Sequence, residues 1–508
     1  MLKSFYFYFI LALCLGTGAV TASTWQAPFL LDDQPKIAMN EDLQSWSKFT
    51  EGVLRKPSPL KSLNSLDSSR PLPYFTFALN WQMGSMKGPK EESPPPYYFR
   101  WFNIVLHGFN AFLVFLLFES LFQNWKTPDR KLALFISLLF WIGPLTLGTA
   151  TYIYARSDVM MAGFVLLALL AALKTRPIYI ILATTLALLC HAGAVVTPAL
   201  LFLVTTEFSA VIVSFMVVLL YLILRWALFG SLGDFQAPAT IDPSVYLFFF
   251  PMAVKNYFVI ALTGIGSSLD HFLAAPVSSP LSLFVLVGIA GLLTLCFFIF
   301  YKGRGFYKQL CFGFLFAIIC LIPTSTLFPT TDFLAERRFY LGSIGLFLMI
   351  LLVLKKLITR FQIGHSLFLG IFTAWAVFLG WQSFKTLEQR ASAESFWRVT
   401  LAESPLSYRA LSNLANILNE KNKDDESLAL YNRLLELYPN HYFAWFNRGK
   451  LLSKRSSSVY NPKLAIESLQ NGLQVNPQNR KAHCDLSFLL KDTDVVKATQ
   501  EQQLCEAP

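Results

Sequence analysis

The chain has 508 residues, of which 54% are hydrophobic and only 14% charged, with 48 phenylalanines and a mean hydropathy of +0.48. That composition excludes an ordinary soluble globular protein and points to a polytopic membrane protein with a soluble appendage. The formal net charge of +11 does not point to nucleic acid, because much of the lysine and arginine falls in short loops between apolar runs, where it sets orientation.

At the N-terminus, Lys3, the apolar run Phe5 to Val20 and the small residues before Ser23 have the features of a cleavable signal peptide. The run is also long enough to span, and it is read as a retained first helix with a cytoplasmic N-terminus. About ten residues later come Asp32 and Asp33, in T-W-Q-A-P-F-L-L-D-D-Q-P-K-I. Carboxylates held near a membrane face are costly, so the pair is candidate chemistry. The loop 23–98 is too long for a simple connector, and W-S-K-F and P-Y-F-T-F-A-L-N-W predict helices lying in the interface.

Further apolar stretches at 101–121, 132–150, 159–173, 178–190, 193–206, 209–229, 282–300, 309–325, 340–354 and 365–383 bring the expected crossings to eleven. The pieces 178–190 and 193–206 are short and meet at Cys190-His191-Ala192-Gly193, so a pair dipping part way into the bilayer is the other reading. The stretch 246–266, broken by Pro251 and Lys255, reads as an embedded or interfacial segment. The loops assigned to the cytoplasm at 126–131, 174–176, 301–308 and 355–360 are basic, as orientation requires. The loops at 23–98, 151–158, 230–281 and 326–339 and the C-terminus then share the extracytoplasmic side.

After Gln382 the pattern turns charged and amphipathic. Pro405 and Pro439 are 34 residues apart, the tetratricopeptide (TPR) period, and Pro477 follows after 38. An insertion at S-S-S-V-Y-N keeps Ala410, Ala444 and Ala482 equivalent, and matches Ser427 to Ala465, where small residues let paired helices pack closely. The fold expected is therefore all-α: a membrane domain over 1–384 and a helical-repeat domain over 385–508. Cys14, Cys190, Cys296, Cys311 and Cys320 lie in apolar segments and read as packing residues. Cys484 and Cys505 leave a disulfide open. No zinc, P-loop or dinucleotide motif is present.

The ordered motifs F-L-L-D-D-Q-P-K-I-A-M-N, S-R-P-L-P-Y-F-T-F-A-L-N-W, F-N-I-V-L-H-G-F-N-A, T-Y-I-Y-A-R-S-D, S-S-L-D-H-F and A-E-R-R-F-Y-L-G-S-I-G resemble the transmembrane and TPR-containing O-mannosyltransferase family and its bacterial relatives. The resemblance implies a GT-C membrane glycosyltransferase in the bacterial inner membrane, using a polyprenyl-phosphate sugar. Its acceptor would be extracytoplasmic, with a protein Ser or Thr hydroxyl, presented by the repeats, as the favoured choice. Asp32 or Asp33 would take the proton of the attacking hydroxyl. Arg156, Arg337, Arg338 and Arg70 would neutralise the phosphate leaving group. Asp158, Asp270, His271 and Glu336 would line the cavity, and His107 reads as a packed helix residue.

No metal or cofactor is expected, and the partners expected are the lipid-linked donor, a protein acceptor and membrane lipid. The chain departs from the family pattern at Phe99-Arg100, at Gly143-Pro144, at Gly148, where relatives carry Glu, and at His191-Ala192. The competing readings are a non-catalytic membrane-anchored TPR scaffold and a transporter. The interior helices lack the recurring charges that ion coupling uses.

Overall fold

A computed structural model describes residues 21–55, 65–85, 93–230, 243–271, 281–323, 334–362, 364–491 and 494–506, together with Gly16 and Gly18. Among them the regular structure is helical, with no strand. The chain divides into two compact units, Met1–Ala391 and Ser392–Pro508. The break falls after the expected residue 384 because the last helix of the first unit continues to Gln389.

In the first unit, the long loop contains α1 (Trp46–Leu54) and α2 (Pro71–Ser85), at the two aromatic stretches expected to be helical. Then come α3 (Tyr97–Asn124), α4 (Arg130–Ile142), α5 (Pro144–Thr151), α6 (Arg156–Leu173), α7 (Pro177–Cys190), α8 (Thr197–Val204) and α9 (Phe208–Phe229). They are followed by α10 (Pro243–Thr263), α11 (Leu281–Lys302), α12 (Gly305–Ile322), α13 (Ser343–Arg360) and α14 (His365–Gln389).

Each apolar stretch expected after the first is thus helical over most of its described residues, and the first, apart from Gly16 and Gly18, lies outside them. Among the described residues, α3, α6, α9 and α12 are each long and apolar enough to cross a membrane, and α4 with α5, bent by 49° at Gly143, makes a fifth if counted as one span. The chain is an integral membrane protein. The apolar helix α7 is shorter, and it is joined to α8 at His191 through a short 3-10 turn, Ala192–Val196. Pro251 lies inside α10.

Helix contacts explain how loops distant in sequence meet. Gly313 of α12 and Gly345 of α13 face each other so closely that a Cβ on Gly345 would overlap the Gly313 carbonyl. Small residues let membrane helices approach in this way. His107 of α3 binds the Tyr340 hydroxyl at 2.8 Å and the Trp141 carbonyl at 2.9 Å, the packed role expected of it. Asn110 donates to the Tyr340 hydroxyl at 3.2 Å and to the Val159 carbonyl at 2.8 Å. These buried bonds tie the entry to α13, and so the arginines before it, to the start of α6.

The second unit comprises α15 (Ala393–Glu403), α16 (Tyr408–Glu420), α17 (Asp424–Leu437), α18 (Tyr442–Ser453), α19 (Pro462–Val475), α20 (Arg480–Leu490) and α21 (Val495–Glu506). Helix pairs at the 34-residue spacing make it a TPR domain. Ala410, Ala444 and Ala482 are buried at equivalent positions, as are Ser427 and Ala465. The register repeats in the caps as well: Ser407, His441 and Asn479 each accept the backbone N–H of the alanine three residues on, at 3.2, 3.2 and 3.0 Å. Such N-caps satisfy one of the otherwise orphaned donors of a helix. Cys484 and Cys505 form a disulfide with Cα atoms 5.0 Å apart.

Candidate active site

The aspartate pair is held by the loop between α5 and α6. Leu31 adopts φ +49°, a left-handed conformation uncommon for a residue with a Cβ, and this strained turn presents the two carboxylates in different directions. Asp33 turns inward and is 1% exposed. Its Oδ2 accepts the Leu30 N–H at 3.2 Å and its Oδ1 accepts the Tyr154 N–H at 2.8 Å. Burial pushes the Asp33 carboxyl up to about 7; the Arg100 charge and the two N–H groups pull it down, while neighbouring Asp32 adds to the rise.

Asp32 is only partly buried. The Tyr152 hydroxyl donates to Asp32 Oδ2 at 3.2 Å, and the Asp32 N–H donates to that hydroxyl oxygen at 3.2 Å. Burial, reinforced by the negative charge of Asp32 and Asp33, raises the Tyr152 phenol well above its ordinary value, so it stays a donor. A cavity of about 10 Å³ lined in part by Asp33, Arg100, Thr151 and Arg390 has room for at most one water. The accessible side of the pair is therefore that of Asp32.

Arg100, where the sequence departs from the family, is buried and clamps the strand of chain before the aspartates. It donates to the Thr151 carbonyl at 3.1 Å, the Ala27 carbonyl at 3.1 Å, the Pro28 carbonyl at 3.2 Å and also the Thr24 carbonyl. Arg390, at the end of α14, donates to the Gly148 carbonyl at 3.0 Å, and a Cβ on Gly148 would lie 3.0 Å from its Nη1. A guanidinium thus sits against Gly148, one of the positions expected from the resemblance to hold a carboxylate. Arg390 carries no signal in the sequence, because its contact spans more than two hundred residues.

Arg156 is 0% exposed. It donates to Asn103 Oδ1 at 2.7 Å, Thr76 Oγ1 at 3.0 Å, Asn80 Oδ1 at 2.6 Å and the Phe99 carbonyl at 2.7 Å, with Phe77 and Phe102 rings 4.2 and 4.7 Å from the guanidinium carbon. Four protein acceptors and two rings occupy it, which corrects the expectation of a phosphate ligand: Arg156 cross-links α2, α3 and α6.

The other arginines converge. Arg337 and Arg338 are half-buried on the 3-10 turn Glu336–Phe339, and Arg337 lies within electrostatic reach of Tyr152. Arg70 pairs with Asp67 at 3.5 Å, and its guanidinium carbon lies 5.9 Å from the Tyr154 ring centre. Arg70, Arg337, Arg338 and Asp158 all act electrostatically on His191, the residue joining α7 and α8. Asp158 is buried and makes no side-chain hydrogen bond among the described residues.

Glu336, expected in the cavity wall, is a buried latch. It accepts from Ser267 Oγ at 2.9 Å and the Ser268 N–H at 2.6 Å, and contacts His271 Nε2 at 3.2 Å. Asp270 is buried in the same loop, its N–H donating to Ser268 Oγ at 3.3 Å. The latch holds the loop 264–271 against the arginine turn. Among the described residues no group of three His, Cys, Asp or Glu side chains is placed to hold a metal ion.

Protein O-mannosyl-transferase TMTC1 of Homo sapiens is 31% identical over 147 residues, covering 28% of this chain and 17% of its own length. TMTC3 of Homo sapiens is 28% identical over 187 residues, covering 35% of this chain and 19% of its own. Curated relatives of this chain are protein O-mannosyl-transferases. TMTC4 of Mus musculus is a further one, 28% identical over 164 residues, 29% of this chain and 20% of that protein. This chain therefore spans about a fifth of the length of the curated relatives it matches. No family model matches the chain. Among solved structures, the crystal structure of MamA is similar at a TM-score of 0.21 and 12% identity, covering 30% of this chain and 82% of that one.

Proposed function

We propose that this protein is a membrane glycosyltransferase that moves a hexose, mannose or a related sugar, from a polyprenyl-phosphate carrier to a hydroxyl on an extracytoplasmic acceptor. The observation that carries the reading is a partly exposed carboxylate, Asp32, held by the Tyr152 phenol, with Arg337 within electrostatic reach of that phenol. Asp32 takes the proton of the acceptor hydroxyl as its oxygen attacks the anomeric carbon. The bond from that carbon to the phosphate oxygen breaks on the opposite face, so the configuration inverts. The departing phosphate gains negative charge, which Arg337, Arg338 and Arg70 neutralise. Asp33 holds the loop and does not meet substrate.

The acceptor favoured is a protein Ser or Thr, with the TPR domain presenting it and the site facing the periplasm of a bacterial inner membrane. The disulfide Cys484–Cys505 supports an oxidising side for that domain. A second reading, a non-catalytic membrane-anchored TPR scaffold, draws support from Gly148, where Arg390 stands in place of a carboxylate. Mass spectrometry of envelope glycoproteins from a strain lacking the protein separates the two. A hexose missing from Ser or Thr sites supports transfer, and an unchanged glycoproteome with altered envelope complexes supports the scaffold.

A further inference from the structure

A groove of about 700 Å³ lies between α3, α6 and α7, lined by apolar side chains such as Leu113, Phe164, Leu167 and Leu186 and closed at one end by Lys174, Arg176 and Tyr179. We propose that it holds one anionic phospholipid, with an acyl chain along α6 and α7 and the phosphate on Lys174 and Arg176.

Three observations converge. First, the groove is at the far end of α6 from the aspartate site: Arg156 and Lys174 are eighteen residues apart, about 27 Å along a helix. It therefore serves the opposite membrane face and is independent of the transfer chemistry. From Phe164 to Lys174 it runs about 15 Å, half the thickness of a bilayer core.

Second, the rim charge is one-sided. Lys174 and Arg176 are exposed, form no ion pair or side-chain hydrogen bond among the described residues, and are the only charged residues in the lining. The tight turn at Thr175, φ +50°, brings the two cations to the same end of the groove. A zwitterionic headgroup offers them no net charge, whereas an anionic one does.

Third, α7 leaves large apolar side chains exposed. Ile178 and Tyr179 are 68% and 63% exposed, and Tyr179 beside the two cations suits a headgroup-level anchor. Inorganic phosphate shares the headgroup chemistry but would leave the apolar groove unused.

The test is lipid retention by the full-length detergent-purified protein, read by native mass spectrometry with added phosphatidylglycerol, phosphatidylcholine or inorganic phosphate. Each cation contributes a factor of about five in affinity for an anionic headgroup, so the Lys174→Ala, Arg176→Ala double variant should lose about 25-fold of the preference for phosphatidylglycerol. Lys174→Arg with Arg176→Lys should keep it. Ala171→Trp, which fills the groove and leaves both cations, should reduce retention of phosphatidylglycerol. An unchanged preference in the double variant would overturn the proposal. So would unchanged retention in Ala171→Trp, or displacement of the lipid by inorganic phosphate.

Discussion

Tyr152 and Asp32 hold each other twice: the phenol donates to the carboxylate at 3.2 Å, and the Asp32 backbone N–H donates to the phenol oxygen at 3.2 Å. Removing the hydroxyl with Tyr152→Phe leaves the ring packing and frees the carboxylate to rotate. A hydrogen bond to a charged group contributes about 1.5–3 kcal/mol, so turnover should fall about 10- to 100-fold with the KM for donor little changed. Steady-state sugar transfer by the purified protein measures it, and a shift in donor KM alone would assign Tyr152 to binding.

Asp33 makes stability depend on pH in an unusual direction for a carboxylate. Its pKa rises from 3.8 in the unfolded chain to about 7 in the folded one, so between those values the folded state binds more protons. Its contribution is fully present below about pH 4 and is lost as the pH rises through 7, a change of a few kcal/mol. Thermal melts in detergent from pH 4 to 8 should show that decline in the wild type and a flatter profile in Asp33→Asn. A wild-type profile that rises with pH over this range would mean that the Arg100 charge and the two N–H groups outweigh burial.

Arg156→Lys keeps the charge but cannot reproduce the fork that reaches Asn103, Thr76, Asn80 and the Phe99 carbonyl. With two or more buried acceptors left unsatisfied, the loss is about 3 kcal/mol or more. A lower melting temperature with unchanged donor KM is the expected result. A raised donor KM with unchanged melting would return Arg156 to phosphate binding.

The disulfide Cys484–Cys505 closes a loop across α20 and α21 with a sequence separation of 21. Loop closure of that length stabilises by about 3 kcal/mol in the chain-entropy view. Cys505→Ser should increase hydrogen exchange in α21 of the full-length protein while leaving α16 and α17 unchanged. Equal exchange in α21 with and without the bond would show that packing alone holds the last helix.

Much of the fold is legible because periodicity is local. The equivalence of Ala410, Ala444 and Ala482 follows from proline spacing, and burial at all three positions repeats it. The helices at Trp46–Leu54 and Pro71–Ser85 show in aromatic runs. The site is less legible, because its roles depend on contacts across long separations. Nothing in T-Y-I-Y-A-R-S-D distinguishes an arginine that meets phosphate from one that cross-links α2 and α3, and only the position of Asn80 and Phe99 decides it. Arg100 shows in sequence as a departure from the family, yet its role as a clamp on residues 24–28 needs the folded chain. Glu336 reads as a cavity acid and proves to be a latch on Ser267 and Ser268.

The most direct test compares Asp32→Asn with wild type in transfer of a hexose from a polyprenyl-phosphate carrier to a Ser- or Thr-containing peptide by the full-length protein. A general base contributes about 10²- to 10⁴-fold, so Asp32→Asn should lose at least 100-fold in turnover while keeping the wild-type melting temperature. Undiminished transfer by a folded Asp32→Asn protein would contradict the assignment of Asp32 as the base.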